Sequence, residues 1–348
     1  MKKTVTFLLI FFCLGITEAD NDRINALAKM LMQNNQLPGL AIALYDHGKP
    51  QYFMYGIANA TTGKPVTNST IFEIGSVTKT FTTTLLAMQV EAGKIKLNDA
   101  IGPYLPTTVQ NEIVKQITFE QLATHTASLP KIPPGYSPDG SYGATDFIDF
   151  LNHWQPPYPI GSKWQYSNLG FGLLGYALTG VMKQNFWSAL HHDLLQPLAM
   201  NNTMYFVLPE LQNQYAQGYY ANNEPAPRWK MTAWKPSSGA LRSTPIDMMK
   251  YLQANLNIGN APASIKQAMQ FAQQNYFKIN ARTMQGLAWS TTVFPEGGKM
   301  IWKVGATAGF STFIALNPDK QMGLVIMINK KTKTKELMNL AKSILLDN

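Results

Sequence analysis

Apolar residues recur at helical spacing from Asp22, at Ile24, Leu27 and Leu31, until Gln36-Leu37-Pro38-Gly39 interrupts them. Leu40 to Tyr45 and Gln51 to Gly56 then read as two strands around the polar turn Asp46-His47-Gly48-Lys49, so a hairpin should follow the first helix. Phe81, Leu85 and Met88, with Leu86 and Val90 beside them, mark a helix that starts near Ser76 and ends before Gly93. Thr118-Phe119-Glu120-Gln121 fits a capping box and opens another short helix. In the region of helix and loop that follows, Pro133-Pro134-Gly135 and Pro156-Pro157-Tyr158-Pro159 make rigid turns. Near the end the period changes. Met300 to Val304, Phe310 to Leu316 and Met322 to Ile328 look like strands, and a closing helix from Lys335 to Leu346 carries Leu337, Leu340 and Ile344 on one side.

Strands at both ends with helices between them predict an α/β fold: one antiparallel sheet built from both chain ends, flanked by helices, with a mostly helical region inserted. The expected division is 1–19 as a leader, 20–75 with 283–348 as a sheet lobe, and 76–282 as a helical lobe. An active site would lie between the lobes.

Composition narrows the class. The chain has 348 residues, 45% hydrophobic and 14% charged, which excludes a disordered tail, a collagen-like repeat and a small disulfide scaffold. Lys2 and Lys3 precede the apolar run Val5 to Ile16, and Thr17-Glu18-Ala19 places small residues where signal peptidase needs them. The first 19 residues therefore read as a secretory signal, because the apolar run falls short of the ~20 residues that span a bilayer. Cys13, the only cysteine, lies in this leader behind bulky Phe11 and Phe12, a poor setting for lipidation. The exported chain would hold no disulfide and no thiol chemistry. Formal charge is +9, but the one dense basic run, Lys330, Lys331, Lys333 and Lys335, accompanies no nucleic-acid motif and reads as solvated surface. A positive field favours small anionic substrates.

Ser76-Val77-Thr78-Lys79 matches S-x-x-K at a helix start, where positions i and i+3 share a face and the amine can reach the hydroxyl. Serine is a poor nucleophile without a neighbouring base, and the helix N-terminus adds N–H groups beside a reacting carbonyl. Ser128-Leu129-Pro130-Lys131 matches too, but Pro130 disfavours helix at Leu129. Tyr166-Ser167-Asn168 places a phenol and an amide before the apolar stretch Leu169 to Val181. The phenol could shuttle a proton if nearby lysines lower its pKa; equally, Asn168 could be an N-cap beside a packed tyrosine. Tyr220-Ala221-Asn222 repeats the same pattern. Lys303-Val304-Gly305 on a late strand lets a substrate backbone approach, and the N–H of Ala306 could serve an oxyanion; alone, Lys303 could be any strand lysine. The histidines His47, His125, His153, His191 and His192 show no ligand spacing and suggest no metal.

In order and spacing, S-x-x-K, Y-x-N and K-x-G resemble the three elements of penicillin-recognising serine hydrolases, and the chain is most similar to class C β-lactamases. The likeness extends through Phe72 to Phe81, Leu122 to Thr126, Trp154-Gln155-Pro156, Gln196-Pro197-Leu198 and Lys303 to Phe310. It implies the β-lactamase/transpeptidase fold, with Ser76 as acylated nucleophile and Lys79 and Tyr166 sharing proton transfer. Lys303 would prime Tyr166, Asn168 would bind the substrate amide, Ser76 and Ala306 would form the oxyanion hole, and Gly305 and Thr307 would line the substrate strand. It implies a periplasmic monomer acting on a β-lactam or peptidoglycan-like substrate, without cofactor, metal, nucleic acid or membrane span. A D-alanyl-D-alanine peptidase, an esterase or a non-hydrolysing penicillin sensor would use the same groups.

Departures from the family lie at Val304, which replaces a hydroxyl residue and leaves a substrate carboxylate to Thr307 or Lys303, at Lys131-Ile132, at Ser238 in place of a tyrosine, and along 329–334. The segment from Trp289 to Lys303 is short, which should open one side of the cleft.

Overall fold

The computed structural model describes residues 18–136, 141–232 and 234–347. The expected leader, Cys13 included, lies outside the described residues except for Glu18 and Ala19, which open helix α1 (Glu18–Asn35). Strands β1 (Gly39–Asp46) and β2 (Lys49–Asn59) form the anticipated hairpin, in register from Gly39–Gly56 to Asp46–Lys49. His47 and Gly48 form its two-residue loop with φ of +47° and +80°, the handedness that matches strand twist.

The remaining strands are β3 (Lys64–Pro65), β4 (Phe72–Glu73), β5 (Arg242–Ser243), β6 (Phe277–Lys278), β7 (Thr283–Gln285), β8 (Ser290–Val293), β9 (Lys299–Ala306), β10 (Ser311–Asn317) and β11 (Met322–Ile328). Seven of these join β1 and β2 in one nine-stranded sheet, in the order β3-β2-β1-β11-β10-β9-β8-β7-β6, while β4 and β5 pair separately. All these pairings are antiparallel, and β11 lies beside β1, so both chain ends build the sheet as expected. Strands β6 to β8 extend it beyond what the hydrophobic pattern indicates. The short stretch before Lys303 is a plain hairpin, with Ser290 opposite Trp302 and Val293 opposite Lys299.

Alternation along the central strands creates two cores. Leu40, Ile42 and Leu44 of β1 join Leu324, Ile326 and Ile328 of β11 against α1 and the terminal helix Thr334–Leu345. Ala41, Ala43, Val325 and Met327 face the other way, into the larger core shared with the helical part. Helix α2 (Thr78–Glu91) runs through that larger core and is buried nearly all round. Its threonines are tolerated because their hydroxyls donate to backbone carbonyls: Thr82 to Ser237 at 2.7 Å, Thr83 to Leu287 at 2.9 Å and Thr80 to Val77 at 2.8 Å.

One surface expectation is corrected. Lys331, Lys333 and Lys335 are exposed, but Lys330 is buried and donates to the carbonyls of Asn35 and Gln36 at 2.9 and 3.2 Å. It satisfies orphan carbonyls at the end of α1, where a cation also suits the helix dipole.

Candidate active site

Ser76 lies in a tight turn, Gly75–Val77, that runs into α2. Gly75 holds φ at +49°, and a Cβ there would meet the Ala306 nitrogen at 2.7 Å. Glycine is thus required twice over, by conformation and by the approach of β9. Gly305 mirrors it from the strand, where a Cβ would come within 2.9 Å of the Ser76 nitrogen. The amides of Ser76 and Ala306 are thereby held side by side.

Two side chains converge on the Ser76 hydroxyl. Tyr166 donates its phenolic proton to Ser76 Oγ at 2.6 Å, and Lys79 Nζ stands 3.2 Å from the same oxygen. Lys79 Nζ also donates to Asn168 Oδ1 at 2.7 Å and to the Ser238 carbonyl at 2.5 Å. Ser167, not Asn168, caps the helix Asn168–Met182, accepting from the Gly170 N–H at 2.8 Å. The Asn168 amide is therefore spared for Lys79, which resolves the choice between cap and site.

Electrostatics follow from burial. Lys79 is enclosed, and burial drives its pKa well below the usual lysine range, with the charges of Lys303 and Lys131 adding to the effect. Lys303, also enclosed, is lowered by burial to about 7; its amine donates to the Ala288 carbonyl at 2.7 Å and lies 5.3 Å above the Tyr166 ring. Burial raises the Tyr166 pKa far more than the hydrogen bond to Ser76 lowers it. That runs against the expectation of an acidified phenol, because burial penalises the phenolate more than its neighbours favour it.

His125 supports the phenol from behind. Its ring lies 4.5 Å from the Tyr166 ring, its carbonyl accepts from the Gln165 N–H at 2.8 Å, and Nδ1 accepts from the Ser167 N–H at 3.2 Å. Both neighbours of Tyr166 are thus tied to one residue. Burial, then Lys303 and Lys79, hold the imidazole pKa well below its ordinary value, consistent with a neutral ring accepting at Nδ1.

A cavity of about 480 Å³ opens onto Ser76, Tyr166, Asn168, Lys303 and Ala306. Val304, Trp164, Trp229 and Trp302 form apolar wall, while exposed Lys131 and Lys331 supply positive charge. Gly305 is buried beneath this wall, and Thr307 is buried outside the lining, where its N–H donates to the Phe310 carbonyl at 3.0 Å. The Thr307 hydroxyl, anticipated for a substrate carboxylate, is buried and has no hydrogen-bond partner among the described residues. The second S-x-x-K dissolves as expected: Ser128 has φ of +62° and donates to the Tyr158 carbonyl. Tyr220 and Asn222 belong to a surface turn in which Asn222 Oδ1 accepts from the Glu224 N–H. Among the described residues, no group of three His, Cys, Asp or Glu side chains could hold a metal, and no helix is long and apolar enough to cross a membrane.

Pattern reasoning missed the ion pair behind this site. Buried Glu73 and Arg242 approach to 3.6 Å across the β4–β5 pair. Glu73 Oε1 accepts from the Tyr215 hydroxyl at 2.6 Å and the Trp229 N–H at 2.9 Å, and Arg242 Nη2 donates to the Trp229 carbonyl at 2.7 Å. Trp229 is thus anchored beside the segment leading to Ser76. An acidic residue in a Phe-Glu-Ile-Gly stretch otherwise apolar was the available signal.

The Beta-lactamase family model matches residues 24–347. A beta-lactamase of Pseudomonas fluorescens is 30% identical over 353 residues, covering 92% of this chain and 97% of the relative. The crystal structure of a beta-lactamase/D-alanine carboxypeptidase from Pseudomonas syringae superposes with a TM-score of 0.86 at 30% identity, covering 94% of this chain and 98% of that one. A class C beta-lactamase structure gives a TM-score of 0.87 at 28% identity over 94% and 96% of the two chains. The nucleophile turn, its amine and its phenol are set in a fold shared along nearly the whole length, and the chain belongs to the beta-lactamase family of penicillin-recognising serine hydrolases.

Proposed function

We propose that the protein is an exported, periplasmic, class C-like serine β-lactamase that works through an acyl-enzyme on Ser76. The observation that carries the reading is the convergence of Tyr166 and Lys79 on one hydroxyl, at 2.6 and 3.2 Å. With Lys79 neutral, its two N–H bonds go to Asn168 Oδ1 and the Ser238 carbonyl, the shorter contacts, and its lone pair is left for the Ser76 proton. Ser76 Oγ attacks the lactam carbonyl as Lys79 takes that proton, and the oxyanion forms against the Ser76 and Ala306 amides. The C–N bond then breaks, Tyr166 protonates the departing nitrogen, and Lys79 restores the phenol's proton. A water that loses its proton to the same cluster attacks the ester and frees Ser76. Asn168, linked to Lys79, holds the substrate side-chain amide from the cavity wall.

The likeness to the Pseudomonas syringae beta-lactamase/D-alanine carboxypeptidase favours a second reading, a D-alanyl-D-alanine carboxypeptidase of the same fold, while the missing hydroxyl at Val304 favours a penicillin-binding sensor that is acylated without turnover. Incubation with a chromogenic cephalosporin separates the readings. Sustained turnover supports the lactamase, one stoichiometric burst supports the peptidase where a D-alanyl-D-alanine peptide is also cleaved and the sensor where it is not, and inertness with hydrolysis of a simple ester supports an esterase.

A further inference from the structure

Three indoles line the cavity, and each is fixed before any substrate arrives. Trp302 stacks on buried Phe313, with centroids 5.6 Å apart and planes at 13°, and its Nε1 donates to Thr292 Oγ1 at 3.0 Å. One ring face and the polar edge are therefore used, and the other face is left to the cavity. Trp164 Nε1 donates to Gln285 Oε1 at 2.9 Å, and Gln285 is itself locked by donating to the Gly286 and Trp289 carbonyls at 2.8 Å each. Trp229 is held by its backbone to Glu73 and Arg242. Trp302 and Val304 share one side of β9, because side chains alternate along a strand, and Ile279 joins the same lining. With the Trp164 and Trp302 donors already satisfied, the indoles themselves offer π surface, set among the polar side chains of Thr283, Ser290 and Thr334.

We propose that this cavity is specific for substrates bearing an aromatic substituent, which lies against the preorganised indoles of Trp164 and Trp302. The proposal rests on the acyl-transfer reading of Ser76 and names its substrate class. Rigid aromatic walls bind a ring at small entropic cost, and the area removed from water makes the gain large.

The test uses β-lactams of one nucleus carrying either a benzyl or a methyl group, placed in turn at the acylamino position and at the far ring substituent. Binding to the Ser76→Ala protein is followed by tryptophan fluorescence, so the readout needs no chemistry. At one of the two positions the benzyl compound should bind about tenfold or more tightly. Trp302→Ala and Trp164→Ala should bring that ratio below about threefold, and Trp302→Phe, which keeps an aromatic face, should retain most of it. If the alanine variants fail to fold, Ile279→Ala supplies the comparison and should also shrink the ratio. Equal binding of benzyl and methyl compounds at both positions overturns the proposal, as does a preference untouched by all of these variants. A preference that persists while the wild-type protein never acylates would support the aromatic site and refute the acyl-transfer reading.

Discussion

Gly305 approaches the turn before Ser76 so closely that a Cβ on it would stand 2.0 Å from the Ile74 carbonyl oxygen. That contact sets the spacing between β9 and the nucleophile. Gly305→Ala must push the strand or the turn aside, and a displacement of about 1 Å at a reacting centre costs on the order of a hundredfold in rate. Rapid-mixing kinetics with a chromogenic cephalosporin should show acylation slowed by that order. A variant acylating at the wild-type rate would mean that the close approach has no bearing on the chemistry.

The lysine cluster predicts a pH profile. Lys79 serves as base only when neutral, so acylation should rise with pH along an acid limb set by its lowered pKa. A positive Lys303 disfavours a second charge on Lys79, and removing it in Lys303→Met raises the Lys79 pKa. The acid limb of kcat/KM should then move to higher pH. A limb that stays in place or moves lower would contradict the assignment of Lys79 as the titrating base.

Much of this arrangement was legible in the chain, for reasons that differ residue by residue. Ser76, Lys79, Tyr166 and Lys303 were found because proton-transfer chemistry fixes their types and local spacing, and the order of three motifs made the pattern specific. The sheet drawn from both ends was legible because β1, β10 and β11 are long apolar runs. Strands β6 to β8 span two to four residues each, too short for a period to register. Lys330 was misread because a charge run says nothing about a helix end 295 positions away in sequence. Trp164 and Trp302 drew no notice, since an indole in a core and an indole in a wall look alike until the fold shows which ring face is left open.

The Glu73–Arg242 pair gives a stability prediction. Both charges are buried, and Arg242→Met leaves the Glu73 carboxylate without its cation. Breaking such a pair costs about 3–5 kcal/mol, whereas replacing both partners with apolar residues costs much less. Urea unfolding should show Arg242→Met destabilised by that amount, with part of the loss recovered in the Glu73→Met/Arg242→Met double variant. Equal losses in the two proteins would show that the pair acts through Tyr215 and Trp229 rather than through its charges.

Whether Ser76 carries the acyl group is read from the covalent intermediate itself. Reaction with a cephalosporin is quenched within milliseconds, the protein is digested, and the adduct is located by mass spectrometry. One covalent adduct is expected on the peptide containing Ser76, forming before product and absent in Ser76→Ala. An adduct on the peptide containing Ser128, or product formed by Ser76→Ala at the wild-type rate, would contradict acylation at Ser76.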